Sequence, residues 1–392
     1  MTWGTVRVGD IAQQIRGVTY IKDEASSTPL HGHVAILRAG NIGDAGLVLD
    51  DLVHVPAARV SDSQLLRPND VVIATSSGSL SVVGKAARVL DPMDASFGAF
   101  CKVLRPVRRI DPAYFAHFFR TPSYRRHISS VAAGANINNL RSDDLDRIEI
   151  PLPPLAEQRR IAAILDEADS LRISARHRLA LVNESSRDAV ERILRRAPVS
   201  KPLAELVGEP LRNGISPSKT GSVVADVLTL SAITRGRFDP RARKTDTFTS
   251  SHGADKLVRE GLHLICRGNG NADLVGAMAV ANEDLVGVAF PDTMIAMRPS
   301  VEISSAALEA AWRTEGVREQ IRRGARTTNG TYKVNQQVLA AVRVPVNTTD
   351  QQQSIGRIEL ERSQSAHRLT QSITLLDELF ASLQHRAFRG EL

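Results

Sequence analysis

The chain repeats itself at an interval of about 190 residues. Leu65-Leu66-Arg67, Ile73, Gly78 and Gly84 recur 192 positions later as Leu257-Val258-Arg259, Ile265, Gly270 and Gly276. Phe97, Arg105-Pro106 and Arg120 recur at 193 as Phe290, Arg298-Pro299 and Arg313. Ile150-Pro151, Gln158 and Ile161 recur at 194 as Val344-Pro345, Gln352 and Ile355. The drift from 192 to 194 needs only two single-residue insertions, and chance rarely preserves such an order. A tandem duplication constrains the fold to two like modules. The length agrees, because 392 residues exceed what one ordinary core organises.

The coarse elements match between halves. Short β-branched runs at 34–37, 71–74, 86–90 and 101–104 read as strands. Their counterparts lie at 227–230, 263–266, 277–281 and 294–297. Asp111-Pro112 reads as an N-cap with proline at the first helical position, opening a helix over 113–120. Ser304 or Ser305 opens its counterpart over 306–313. Each half is therefore expected to be a small α/β module built on a mixed sheet.

Each module runs into a different kind of segment. Ile164, Ala168, Leu171, Ala175, Leu179, Val182, Ser186, Ala189 and Ile193 follow steps of three and four. So do Ala366, Leu369, Ile373, Leu376, Phe380, Leu383 and Ala387. This is the seam of a long helix that requires a helical partner. Pro153-Pro154 sets the entry of the first helix, and Ala197-Pro198 ends it. A helix of this length overruns a domain of 150 residues, so the two are expected to pair antiparallel. At 1.5 Å per residue each spans roughly 50–55 Å, about one to one and a half turns of B-DNA.

Composition narrows the function. Aromatic residues are only 4%, which disfavours the stacking platforms of single-strand binders. The net charge of +7 is spread over the chain: +2 in 1–150, +2 in 151–198, +4 in 199–344 and −1 in 345–392. Arginine outnumbers lysine 42 to 8. That excess fits phosphate and guanine recognition, and it fits a GC-rich genome equally well. Cys101 and Cys266 match neither a metal nor a redox spacing and read as buried thiols in a reducing cytoplasm. No apolar run reaches the length of a membrane span, and residues 1–10 lack a signal peptide's hydrophobic region.

Catalytic motifs are missing. The stretch from Gly78 to Lys85 has five residues between its glycines, and Ala86 stands where a phosphate-binding loop requires Ser or Thr. It reads as a turn beside a strand, as does Gly268-Asn269-Gly270. The chain has no Asn-Pro-Pro-aromatic or Asp-Pro-Pro-aromatic tetrapeptide, no paired-acid nuclease pattern and no clustered histidines.

The stretch from Ile150 to Asp166, IPLPPLAEQRRIAAILD, resembles the strand-to-helix junction of the specificity (S) subunits of type I restriction–modification enzymes. Gly134-Ala135-Asn136-Ile137-Asn138-Asn139-Leu140 is similar to the end of a target-recognition domain in that family. Residues 383–392 are similar to its usual C-terminus. The resemblance implies an α/β (α+β) architecture of two similar mixed α/β target-recognition domains joined by two long antiparallel helices forming a coiled coil. It divides the chain into target-recognition domain 1 (1–150), spacer helix 1 (151–198), target-recognition domain 2 (199–344) and spacer helix 2 (345–392).

The same resemblance implies a non-catalytic adaptor for DNA methylation and phage defence. Each domain would read one half of a split, asymmetric site in double-stranded DNA. Two methyltransferase subunits, with restriction subunits beside them, would dock on the helices and carry S-adenosylmethionine and ATP with magnesium. This chain would hold no metal or cofactor. Docking falls on Pro153, Pro154, Leu155, Glu157, Gln158 and Arg159. The second junction, Val344-Pro345-Val346-Asn347-Thr348-Thr349-Asp350-Gln351-Gln352, lacks the double proline and the Glu-Gln pair, so equivalent docking there is not implied. Three other readings stand beside this one: a targeting subunit of another phage-defence complex, a methyltransferase or nuclease with an unfamiliar site, and a structural coiled-coil protein.

DNA-reading candidates follow from residue chemistry, because Arg and Asn make paired bonds to guanine and adenine while Ser, Thr and Lys hold phosphates. In the first half these are Arg38, Asn41, Ser76, Ser77, Ser79, Lys85, Tyr124, Arg125, Arg126, Asn136, Asn138 and Asn139. In the second, Arg235, Arg237, Arg241, Arg243 and Lys244 cluster around a turn. Arg267, Asn269 and Asn271 form another group, and Arg322, Arg323, Arg326, Asn329 and Lys333 a third.

Overall fold

The computed structural model describes residues 3–44, 46–133, 139–251, 253–328 and 330–392. The chain divides into two compact units. The first joins Met1–Arg178 to Leu369–Leu392, and the second is Leu179–Arg368. Both divisions fall inside the long helices, Leu155–Leu194 and Thr349–Ala387, so each unit holds a stretch of both.

In the first unit four antiparallel strands lie in the order Ala12–Arg16, Cys101–Pro106, Val71–Ala74, Ala86–Arg88. A second sheet places His33–Leu37 between Val53–Pro56, antiparallel to it, and Ala95–Phe97, parallel to it. The single mixed sheet expected in each half is thus two sheets, one antiparallel and one mixed. The reason lies in the central strand, which is apolar on both faces. Val71 and Ile73 point to a core shared with helices, while Val72 and Ala74 point to a core between the sheets. The N-terminal strand Thr5–Arg7 pairs with Glu149–Pro151 and ties the chain start to the junction before the first long helix.

The second unit repeats this plan. Its antiparallel sheet has the order Arg212–Asn213, Met294–Met297, His263–Cys266, Met278–Val280. Ile265 and Ile295 face the helices, while Leu264, Cys266 and Ala296 face the other sheet. The mixed sheet centres on Val223–Leu228, antiparallel to Arg243–Phe248 and parallel to Val288–Ala289. This central strand begins four residues before the predicted 227–230 and stops two residues short of its end, because Leu230–Ala232 already forms a 3-10 turn. Val199–Pro202 pairs with Arg343–Val346, as Thr5–Arg7 pairs with Glu149–Pro151.

The helix starts follow their caps. Asp111 accepts from the Ala113 and Tyr114 amides, both at 3.0 Å, and opens Pro112–Phe118. Ser304 accepts from Ala307 N and opens Ser305–Trp312.

Within each unit the two long-helix stretches run antiparallel. In the first, Arg160 reaches the Leu392 carbonyl at 2.9 Å, and Arg172 reaches Asp377 at 2.7 Å. In the second, Arg362 donates to Asn183 Oδ1 at 3.2 Å, and Asn347 to the Ile193 carbonyl at 2.8 Å. The predicted seam is at least partly buried at every position except Leu171, which is 46% exposed. There Arg172 turns inward instead, its guanidinium 4.3 Å from the Phe380 ring centre and bonded to Asp377. Cys101 and Cys266 are both buried free thiols, and burial raises the pKa of each, to about 12 and about 11.

Candidate nucleic-acid interface

Each unit has a turn that leaves the central strand of its antiparallel sheet and returns as the edge strand. In the first unit this turn follows Val71–Ala74 and carries Ser76, Ser77 and Ser79. Ser77 Oγ accepts from Ser79 N at 3.2 Å, and Ser79 shares a 2.8 Å hydroxyl contact with Ser81. Ser76 bridges to Asn139, which brings the segment after the helices alongside the turn. Ser76, Ser77 and Gly78 line one groove of about 580 Å³ with Arg38, Asn41, Asp50, Asp51 and the exposed ring of Phe100.

Several first-half candidates are engaged within the fold. Asn41 is buried; its Oδ1 accepts from Arg38 N at 2.9 Å, and its Nδ2 donates to the Val48 and Asp50 carbonyls. Tyr124 is 2% exposed and sits edge-on to Phe119 at 5.1 Å, so it belongs to the core. Arg125 donates to the carbonyls of Val83 at 2.8 Å and Ser81 at 2.9 Å. Arg38 pairs with Asp51 at 2.8 Å and Lys85 with Asp44 at 2.8 Å, so both carry their own counter-ions. The Lys85 ammonium holds the Asp44 carboxyl below the usual carboxylate range. Arg126 is exposed but lines a different groove, of about 780 Å³, with His127, Phe388 and Arg389. Asn136 and Asn138 lie outside the described residues.

The second half assembles more of its candidates. Gly268–Asn269, expected as a turn, is a short strand that pairs with Thr331–Lys333, which also pairs with Arg326–Thr328. This small sheet sets Lys333 opposite both Gly268 and Arg326, with Arg267 adjoining and donating to the Asp292 carbonyl at 3.1 Å. Asn269 and Asn271 each accept from a backbone N–H two residues on, at 2.9 Å, which stiffens the turn. Arg235, Arg237 and Arg241 are exposed between Val223–Leu228 and Arg243–Phe248, and pair with no carboxylate among the described residues. Arg243 lies 3.9 Å from Asp226, and Lys244 lies 2.6 Å from Asp246.

The third group divides. Arg322 pairs with Glu315 and Glu319, and Arg323 with Glu319, on the helix Glu315–Gly324. Arg326 and Lys333 join the small sheet, and Asn329 lies outside the described residues.

The junction candidates also split. Gln158 is buried, its Nε2 donating to the Pro153 carbonyl at 2.8 Å and its Oε1 accepting from Asp111 N at 2.8 Å. It holds the helix cap to the junction and offers nothing to a partner, and Pro153 is buried with it. Pro154, Leu155 and Arg159 are exposed. Glu157 is half-buried and pairs with Arg160 at 2.7 Å; that guanidinium holds its carboxyl low. The second junction keeps the buried glutamine despite losing the prolines. Gln352 Oε1 accepts from Ser304 N at 2.7 Å, and its Nε2 donates to the Asn347 and Glu302 carbonyls, both at 2.9 Å.

Composition did not reveal Arg318, the second-half counterpart of Arg125. The 193-residue offset between the halves, read through to the second helix, locates it. No group of His, Cys, Asp and Glu suited to a metal ion occurs among the described residues.

Comparisons with known proteins identify the family. Residues 1–184 match the family described as the type I restriction modification DNA specificity domain. The chain is 32% identical over 414 residues to the EcoKI specificity subunit of Escherichia coli K12, covering all of this chain and 89% of that one. It is 32% identical over 420 residues to the StySPI specificity subunit of Salmonella potsdam, with the same coverage.

Among solved structures, a chain from a study of complex assembly and conformational transition in a type I R-M system superposes with a TM-score of 0.59 at 16% identity. The match covers 100% of this chain and 98% of that one. The S subunit from M. genitalium superposes with a TM-score of 0.58 at 14% identity, covering 99% and 96%. These two show the shared fold. With the full-length sequence match to two curated relatives, the chain belongs to the specificity subunits of type I restriction enzymes.

Proposed function

We propose that this chain reads a bipartite, asymmetric site in double-stranded DNA and presents it to methyltransferase subunits, supplying specificity and no chemistry. The observation that carries the reading is the same two-sheet module built twice, each with a polar turn beside its central strand. Two like modules on one chain suit two half-sites. In this reading 1–150 and 199–344 are the reading domains, and 151–198 and 345–392 are the spacer helices. The reading residues are Ser76, Ser77, Ser79 and Asn139 in one domain. In the other they are Arg235, Arg237, Arg241, Arg243, Arg267, Asn269, Asn271, Arg326 and Lys333, with Lys244 held by Asp246 as Lys85 is by Asp44.

Two methyltransferase subunits, with restriction subunits joining them, are the protein partners. Exposed Pro154 and Leu155, together with Leu375 and Leu379 at 66% and 50% exposure, supply apolar surface for docking, and exposed Arg159 adds a charge beside it. S-adenosylmethionine, ATP and magnesium belong to those partners, and the complex works in the cytoplasm. No helix among the described residues is long and apolar enough to cross a membrane.

Mapping methylated adenines in the native genome, with and without this gene, tests the reading. Loss of one bipartite motif is expected, and an unchanged methylation pattern overturns it. Calorimetry on the isolated chain is expected to show no heat of S-adenosylmethionine binding.

A further inference from the structure

The same three-part lock secures the polar turn in both units. Arg125 donates through Nη1 to the Val83 carbonyl at 2.8 Å and through Nη2 to the Ser81 carbonyl at 2.9 Å. Arg318 donates through Nη2 to the Val275 and Asp273 carbonyls, both at 2.8 Å. Val83 and Val275, like Ser81 and Asp273, stand 192 positions apart, and the two arginines 193.

Next to each bonded valine is a glycine in the left-handed region, Gly84 at φ +78 and Gly276 at φ +72. A Cβ on either would lie 2.5 Å from a methyl of the helix beneath, Ile128 Cγ2 or Ile321 Cγ2. The turn is therefore pressed onto Pro122–Ala133 in one unit and onto Glu315–Gly324 in the other, with a guanidinium tying its return limb. Ser77 and Ser79, or Asn269 and Asn271, occupy the limb opposite. Ser81–Val83 and Asp273–Val275 differ in sequence, so the bonds go to the backbone, which lets the turn's side chains vary while its height stays set.

We infer that Arg125 and Arg318 are positioning residues for sequence specificity, each fixing how far its turn projects toward one half-site without touching the DNA. The inference rests on the DNA-reading function proposed above. Base readout by directional hydrogen bonds, whether from Ser77 and Ser79 or from Asn269 and Asn271, tolerates little displacement, whereas phosphate attraction tolerates much, so loosening the turn lowers discrimination and leaves non-specific binding intact.

The test uses the full chain assembled with its methyltransferase subunits, on the cognate duplex and on duplexes scrambled in one half-site. R125A is expected to reduce discrimination at one half-site about tenfold, and R318A at the other. Non-specific affinity and the slope of log K against log salt should stay as in the wild type. A slope reduced by about 0.9 identifies the arginine as a phosphate contact and overturns the inference. Unchanged discrimination also overturns it.

Because loss of a partly buried guanidinium can unfold a domain, R125K and R318K are measured alongside, and intermediate discrimination is expected. Lysine and alanine variants that both match the wild type sink the inference. Amide exchange over 77–84 and 269–276 should rise most in the alanine variants and less in the lysine variants. A wild-type complex with no half-site preference refutes the DNA-reading function itself, a result separable from wild-type preference that survives both substitutions.

Discussion

Gln352 repeats, 194 positions on, the work of Gln158. Each is a buried side chain on the first turns of a long helix whose Oε1 accepts the backbone N–H at a helix cap, Asp111 in one unit and Ser304 in the other. Each also donates to the carbonyl five residues before it, Pro153 or Asn347. The reading module and the long helix of each unit are joined by one amide that spans three chain segments.

Q158A and Q352A should therefore each lower stability by about 2–3 kcal/mol, since a backbone N–H loses its acceptor and one carbonyl, or two for Gln352, loses its donor. Differential scanning calorimetry should show the loss in the transition of the unit that bears the substitution. A variant that melts like the wild type would show the amide to be dispensable.

His263 makes the stability of the second unit depend on pH. It is fully buried, with Nε2 3.0 Å from Ser305 Oγ, and desolvation lowers its pKa to about 4. The unfolded chain takes up a proton near pH 6.5 while the folded unit does not. Stability from this group is thus present above pH 6.5 and declines as pH falls from 6.5 toward 4, by at most about 1.4 kcal/mol per pH unit. The first unit has Val71 at the equivalent position. H263V should remove this slope from the second unit's melting midpoint, and an unaltered slope would assign it elsewhere.

Asp377 links the two long-helix stretches of the first unit through Arg172 and Arg176, each at 2.7 Å. Partial burial opposes its ionisation, but hydrogen bonds from the two guanidinium groups outweigh that and hold the carboxyl below the usual range. A lowered carboxyl stabilises the fold above its unfolded pKa near 3.9 and loses that contribution as pH falls through the folded value. D377N should lower the first unit's melting temperature from pH 7 down to about 5, with the difference shrinking below about 4. The effect should be small, because the side chain is partly exposed and screened by salt.

Arg235, Arg237 and Arg243 replaced together by alanine should weaken duplex binding and flatten its salt dependence. Three lost phosphate contacts reduce the slope by up to about 2.7. Anisotropy titrations between low and physiological salt measure this directly. Binding that is unchanged in both strength and slope removes this surface from the interface.

The repeat, the strands that correspond between halves, the caps at Asp111 and Ser304 and both long helices are legible in the chain, because each follows from local rules. Backbone geometry imposes periods of two and 3.6, a cap sits within three residues of the amides it satisfies, and two copies of one core must keep matching apolar positions. The fate of individual polar side chains follows no such rule. Asn41, Arg125 and Gln158 have the composition of binding residues, yet their donors are spent on carbonyls of Val48, Val83 and Pro153. Tyr124 is covered by Phe118 and Phe119, while Leu171 yields its seam position to Arg172.

Those outcomes depend on which distant segment folds back against a given side chain. A guanidinium or amide bonds whatever acceptor arrives within about 3 Å. Sequence alone therefore determined that this protein is a doubled α/β module with long pairing helices. Only the tertiary structure decided which of its arginines and asparagines the fold itself engages and which it leaves at the surface.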